Sequence, residues 1–299
     1  MGNPNPAITG SAVQGELGPG PHGTGAAPSN SAGRSRRSRY AGRIFWWLIF
    51  LIGFLYFFLP LYGTLDFSLK SKPFGSAYTA IMSDSGFVSS LGYSFIAGIL
   101  TIIISILIIV PTAFWVRLKY PQLRPFIEFI TLLPFVIPPV ILVYGLLNTY
   151  NGKSLLPLGD SDTGLNVLLV AAYVVLSFPY MYRAVDTGLR AIDIQSLTEA
   201  SQSLGAGWGR ILWQVILPNL RTSLLSGAFL SLAIVVGEFT IATFMSRPAF
   251  APYLNIVGDS KPYEQAALAL ISFGITWLAM ILIAIIGRNS RSQIKVTGR

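Results

Sequence analysis

Apolar runs long enough to cross a bilayer recur along this chain, separated by shorter polar stretches. Six stand out, at residues 44–65, 89–116, 126–150, 164–182, 222–246 and 265–287. A helix rises about 1.5 Å per residue and hydrocarbon is about 30 Å thick, so roughly 20 apolar residues span it. The pattern predicts an all-α membrane protein of six transmembrane helices with both termini on one side. One interval departs from it. Residues 186–221, between the fourth and fifth runs, are polar and basic. Within it, Ser196 and Glu199 have the spacing of a capping box, which predicts a helix from near Leu197 that Gly205 can end. Trp208, Ile211, Leu212, Val215 and Ile216 then fall at i, i+3, i+4, i+7 and i+8, the apolar stripe of a second helix running to Leu217 and Pro218.

The distribution of charge orients the spans. Arg34, Arg36, Arg37, Arg39 and Arg43 precede the first run, which is too long for the core of a signal peptide and lacks a small-residue cleavage pattern after it. An uncleaved span with a cytoplasmic N-terminus is expected. With that orientation sixteen of the 21 Lys and Arg residues fall inside, and only Lys70, Lys72, Lys153, Arg247 and Lys261 fall outside. This is the positive-inside bias, and it puts the polar insert in the cytoplasm. Residues 1–39, rich in Gly, Pro, Ser, Ala and Asn, cannot bury enough apolar surface to offset ordering entropy and are expected to form a disordered cytoplasmic tail. Residues 40–90 make the first span and an external loop, 91–287 a five-helix core carrying the insert, and 288–299 a cytoplasmic tail.

Composition narrows the function. The chain is 53% hydrophobic and 11% charged, with a mean hydropathy of +0.61, outside the range of ordinary soluble domains. Its net charge of +9 follows the ends of apolar runs, so it reads as topology and not as nucleic-acid binding. There is no cysteine, and the one histidine is His22 in the N-terminal arm. Disulfides, Cys-ligated metals and a hydrolytic triad are excluded, and no metal or cofactor is expected. Gly152-Lys153-Ser154 echoes a phosphate-binding loop, but Leu147 stands where that loop needs glycine. The chain is not expected to be an enzyme.

Two features lie inside the spans. Pro111 interrupts the second run, and Pro134, Pro138 and Pro139 the third, so kinked or broken helices are expected there, with Pro138-Pro139 beside a transport pathway. Glu238, followed by Phe239, is a carboxylate roughly 24 Å from the start of the fifth run at about 1.5 Å per residue. A charge at that depth either lines a pathway or bonds to a neighbouring helix. Glu128 and Arg183, at span ends where charge is cheap, are given no special role.

Glu199-Ala200-Ser201, Gly205 six positions after the glutamate, and Leu217-Pro218 resemble the EAA loop of permease subunits of binding-protein-dependent ABC importers. Ser201 replaces the usual second alanine and Val215 the usual isoleucine. The similarity extends over about residues 91–287, including Leu133-Pro134-Phe135-Val136-Ile137-Pro138-Pro139 and Gly237-Glu238-Phe239. The resemblance implies the MetI-like type I importer bundle, embedded in the lipid bilayer of a bacterial inner membrane. It implies four kinds of partner or contact: a second permease subunit, identical or not, two cytoplasmic ABC ATPase subunits, an extracytoplasmic substrate-binding protein facing the loops at 66–88, 151–163 and 247–263, and the bilayer itself. Glu199, Ala200, Ser201, Gly205, Ala206, Leu217 and Pro218 would couple to the ATPase, and Glu238, Phe239, Pro138 and Pro139 would line the pathway. The Gly237-Glu238-Phe239 and Pro-Pro segments look like the spermidine/putrescine branch, with iron(III), thiamine, sulfate and phosphonate branches similar here. From another class, a proton-coupled carrier or channel would titrate Glu238.

Overall fold

The computed structural model describes residues 32–289. The arm expected to be disordered lies outside the described residues up to position 31, and the C-terminal tail from position 290. Among the described residues there is helix and no strand. Helix α1 (Ala32–Leu69) begins inside the expected tail, so residues 32–39 are helical. Arginine is a good helix former, and the apolar run supplies a nucleus onto which further turns add at little cost. The chain divides into two compact units at Phe57 and Phe58. In the first, every residue from Phe45 to Phe57 is exposed, as a lipid-facing helix requires.

The second unit is built on three mutually packed helices, α3 (Ser85–Leu118), α6 (Asp162–Arg190) and α9 (Arg221–Gly237). Between α3 and α6, the Ser105 and Ser177 hydroxyls share a hydrogen bond of 2.6 Å. Small residues let the helices approach: a Cβ on Gly188 would lie 2.7 Å from the Ser223 Cβ, and one on Gly227 3.0 Å from the Ala184 Cβ. Inside a membrane such close packing replaces the hydrophobic drive that water would supply.

Proline acts in two ways. Helix α3 runs unbroken through Pro111: one proline removes one backbone bond, and the packed flanks on α6 and α9 hold the helix together. The third run does break, into α4 (Arg124–Val136) and α5 (Pro139–Thr149), bent by 97°. Ile137 (ψ 116°) and Pro138 (ψ 136°) are both extended. Each precedes a proline whose Cδ bars it from the helical region, and two such residues in a row cannot be absorbed.

The fifth run is also broken. Helix α9 stops at Gly237, Glu238 is extended, and α10 (Thr240–Phe244) follows. Helices α5 and α10 pack together, with the Tyr144 and Phe244 rings 5.7 Å apart. Helix α12 (Pro262–Asn289) contains the sixth run. Among the described residues, three helices, Phe45–Leu69, Ser85–Leu118 and Asp162–Arg190, are each long and apolar enough to cross a membrane unbroken.

The segments read as external loops carry helices of their own. Helix α2 (Ser76–Met82) lies within 66–88 and α11 (Phe250–Ser260) within 247–263. Ala77, Ile81, Phe87, Phe250, Ala267 and Leu268 bury a common cluster beneath them. Asp84 caps α3 through Gly86 N at 2.7 Å and accepts from the Tyr253 hydroxyl at 2.6 Å. The Tyr253 hydrogen bond, then the Gly86 amide, hold the Asp84 carboxyl below its ordinary range. Arg247 donates to Asp162 at 2.7 Å and ties this end of α6 to the chain leaving α10.

The close approach of α6 and α9 is testable. Gly188→Val should cost about 1–3 kcal/mol by overpacking and lower the thermal midpoint of the detergent-solubilised protein. Gly145→Ala, where an added Cβ meets nothing within 4 Å, should leave it unchanged; equal midpoints for the two variants would contradict this packing.

Candidate functional site

The polar insert folds as two helices joined at a glycine. Helix α7 (Ile194–Ser203) is capped by Asp193 and not, as the spacing predicts, by Ser196. The Asp193 carboxylate accepts from Ser196 N at 3.1 Å and from the Ser196 hydroxyl at 2.6 Å. A carboxylate is the stronger acceptor for the free amides of a first turn, and Ser196, itself a donor to it, is left no capping role. The Ser196 hydroxyl, then its amide, hold the Asp193 carboxyl below the usual carboxylate range. Glu199 takes a hydrogen bond from the Gln195 amide at 3.0 Å and is exposed. Ile194 and Thr198 turn inward; Glu199, Ala200, Ser203 and Leu204 face out, Leu204 at 88% exposure.

Gly205 ends α7 as expected. Its φ is +78°, its amide returns to the Gln202 carbonyl at 2.8 Å, and the Ala206 amide returns to Ser201 at 3.0 Å. That pair of bonds closes the helix only with a left-handed residue between them. A Cβ at Gly205 would meet nothing within 4 Å. Conformation therefore selects glycine here, and the space around it is open.

The second helix, α8 (Trp208–Asn219), differs from the expected α-helix. Its six central residues, Ile211–Ile216, are wound as a π-helix. Pro218 offers no amide to the Gln214 carbonyl, and the wider turns before it spread carbonyls that an α-helix would drive into its ring. The burial pattern shifts accordingly. Ile211, Leu212, Ile216 and Leu220 are buried against Phe114, Met181, Val185 and Leu189, while Val215 is only half-buried. Trp208 instead packs tilted against Trp115, with ring centroids 4.8 Å apart, and the Lys119 ammonium lies 4.7 Å from each ring. Leu217 is half-buried and Pro218 exposed.

Beside the insert, Asp186 gathers three guanidiniums: Arg190 at 2.7 Å, Arg124 at 3.3 Å and Arg117 at 3.4 Å. Arg124 also pairs with Glu128 at 3.0 Å. The cluster joins the ends of α3 and α6 to the start of α4. Sequence reading missed it, because Arg117 and Asp186 are 69 positions apart and no local spacing brings the members together.

Two adjoining clefts open here, one between α4, α6 and α9 and the other between α4 and α6. One, of about 460 Å³, is lined by Tyr180, Arg183, Thr222, Ser223 and Ser226 among apolar neighbours. The other, of about 380 Å³, carries Glu128, Tyr182, Asp186 and Arg190 and shares Arg183 and Thr187 with the first. Pro138, Pro139, Glu238 and Phe239 line neither. They sit instead at the two helix breaks. The Glu238 carboxylate accepts from Ile241 N at 2.9 and 3.0 Å and from Ala242 N at 3.2 Å, and so caps α10. Phe239 is exposed. Among the described residues no cluster of three or more His, Asp or Glu could hold a metal.

Comparison with known proteins places this arrangement. The family model for the binding-protein-dependent transport system inner membrane component matches residues 110–292. The molybdenum transport system permease protein ModB of Escherichia coli (strain K12) is 30% identical over 193 residues, covering 60% of this chain and 83% of its own. The spermidine/putrescine transport system permease protein PotB of Haemophilus influenzae is 26% identical over 211 residues, covering 65% and 72%. A solved bacterial ABC transporter involved in the import of the acidic polysaccharide alginate has the same fold, with a TM-score of 0.65 at 13% identity over 88% of this chain and 100% of that one. The matched region takes in more than half of the sequence, including both broken helices and the whole two-helix insert, and the protein belongs to the family of binding-protein-dependent transport system inner membrane components.

Proposed function

We propose that this chain is the permease subunit of an ABC importer and that its insert is the part an ATPase grips. The observation carrying this is the asymmetry of the insert. Helix α7 presents Glu199, Ala200 and the open shoulder at Gly205 to the surroundings, while α8 is sunk into the α3 and α6 core. A surface that is free on one side and fastened on the other transmits motion. Closure of two cytoplasmic ATPase subunits moves the insert as a lever and shifts the bundle toward the state the closed pair binds better. The positive-inside bias supports a cytoplasmic insert and cytoplasmic termini. A second permease subunit and an extracytoplasmic binding protein complete the importer.

For the cargo we infer a small oxyanion in preference to the polyamine that Gly237-Glu238-Phe239 suggests. A polyamine pathway needs a carboxylate free to meet a cation, and the Glu238 carboxylate is occupied by the Ile241 and Ala242 amides. The cleft's own charge is a cation, Arg183, and ModB is named for molybdenum, which dissolves at neutral pH as a tetrahedral dianion. PotB, named for spermidine and putrescine, is the relative on the other side of the balance.

Three outcomes test these readings. Gly205→Trp should cut ATPase co-purification and solute uptake at least tenfold with membrane insertion intact, whereas Gly205→Asn, which tolerates the left-handed conformation, should keep most of both. Wild-type uptake by the tryptophan variant would remove the docking role. Glu238→Gln retains an oxygen for the α10 amides and should transport near the wild-type rate, while Glu238→Ala should be several-fold slower; equal losses would instead give the charge itself a role in the pathway. Asp193→Ala should speed hydrogen exchange of the first-turn amides of α7 several-fold. In the wild type, because the carboxyl is depressed, capping should be complete above about pH 4, the unfolded value, and lost only as pH falls through the lower folded value.

A further inference from the structure

The larger cleft sets a few polar groups of one kind among apolar neighbours. Arg183 is its only charged lining residue, and Tyr180, Thr187, Thr222, Ser223 and Ser226 supply hydroxyls. The adjoining cleft holds two carboxylates, but Arg117, Arg124 and Arg190 meet Asp186, and Arg124 meets Glu128. Arg190 and Arg183 are the arginines on these walls, and Arg183 makes no ion pair within 4.0 Å among the described residues.

The hydroxyls of α9 are also unspent. On the other helices, Thr112, Thr131, Thr187 and Ser201 donate to carbonyls three or four residues earlier, at 2.6–2.9 Å. Thr222, Ser223 and Ser226, at i, i+1 and i+4 of α9, make no such bond among the described residues, and neither does Tyr180 to any acceptor. Hydroxyls left free along a cleft that also holds an unneutralised guanidinium are donors waiting for an acceptor.

We propose that Arg183 with Thr222, Ser223, Ser226 and Tyr180 forms a low-affinity way station for a tetrahedral oxyanion in the half of the bundle nearest the insert. This rests on the importer reading and assigns residues to its cargo class. Arg183 supplies the charge and a forked pair of donors, and the hydroxyls supply directed hydrogen bonds without further charge. One exposed, salt-screened guanidinium gives a dissociation constant on the order of millimolar, weak enough for flux. In the adjoining cleft the other arginine, Arg190, is already paired with Asp186, so it adds no second free cation. A lipid phosphodiester shares the oxyanion chemistry and is the other possible source of the ligand.

The test uses the full chain in nanodiscs of phosphatidylcholine, titrated with sulfate and with molybdate. Saturable binding in the millimolar range is expected. Arg183→Gln should weaken it at least tenfold, Arg183→Lys less, and Ser223→Ala/Ser226→Ala a few-fold, with spermidine not competing. Binding by Arg183→Gln equal to wild type, or displacement of the anion by spermidine, would overturn the proposal. Discs containing phosphatidylglycerol separate the sources: sulfate binding should persist there, and its disappearance would assign the site to a lipid headgroup and overturn the cargo role. Co-purification of the ATPase with Arg183→Gln reports separately on the importer reading and should be undiminished whatever the anion does.

Discussion

The burial of Ile211, Leu212, Ile216 and Leu220 against α3 and α6 is the contact on which the working arrangement depends. These residues belong to a polar segment, so their alternative environment is water, and each contributes about 1.5–3 kcal/mol by leaving it. The other fasteners are weaker. The Trp115, Lys119 and Trp208 cluster is worth on the order of 0.5–1 kcal/mol per exposed cation–π contact, and exposed ion pairs such as Arg124 with Glu128 typically contribute about 0–1 kcal/mol. Apolar burial therefore holds the insert to the bundle. The charged cluster fixes where the ends of α3, α4 and α6 lie relative to one another.

The two broken helices solve one problem by different chemistry. A backbone that leaves the helix in an apolar medium must satisfy its freed groups within the protein. At Pro138-Pro139 two of the amides that would need acceptors do not exist. At Gly237-Glu238-Phe239 the amides of Ile241 and Ala242 do exist, and the Glu238 side chain reaches forward to take them. The charge that looked costly at that depth is thus the cap that makes the second break affordable, and the packing of Tyr144 on Phe244 sets the two breaks side by side. The nearby Tyr173 hydroxyl is buried beside the same carboxylate.

What could be read from the sequence was what local chemistry decides. Apolar length located the spans. The Pro138-Pro139 pair marked the break in the third run, and Gly205 marked the end of α7. The misreadings all turned on a competitor or a tertiary contact. Ser196 and Glu199 matched a capping box, but Asp193 three residues earlier was the better acceptor. The stripe from Trp208 to Ile216 matched an α-helix, but Pro218 widened the winding and changed which residues face the core. Arg183 drew no role because nothing near it in the chain tells what stands across the cleft, and the free hydroxyls of α9 enter only when the helices are packed.

The same packing links the insert to the cleft. Helix α8 meets α9 at 77°, and the joint is Leu220, which is fully buried. A buried joint cannot slip without opening a cavity, so a tilt of α8 must carry the first turn of α9 with it. That turn holds Thr222 and Ser223, and Ser223 packs where a Cβ on Gly188 would strike it. Arg183 stands on α6, one wall of the cleft, and the hydroxyls stand on α9, the other. Any force that moves the insert therefore changes the distance between the guanidinium and its hydroxyl partners, and a ligand held between them is gripped in one position of the lever and loosened in the other.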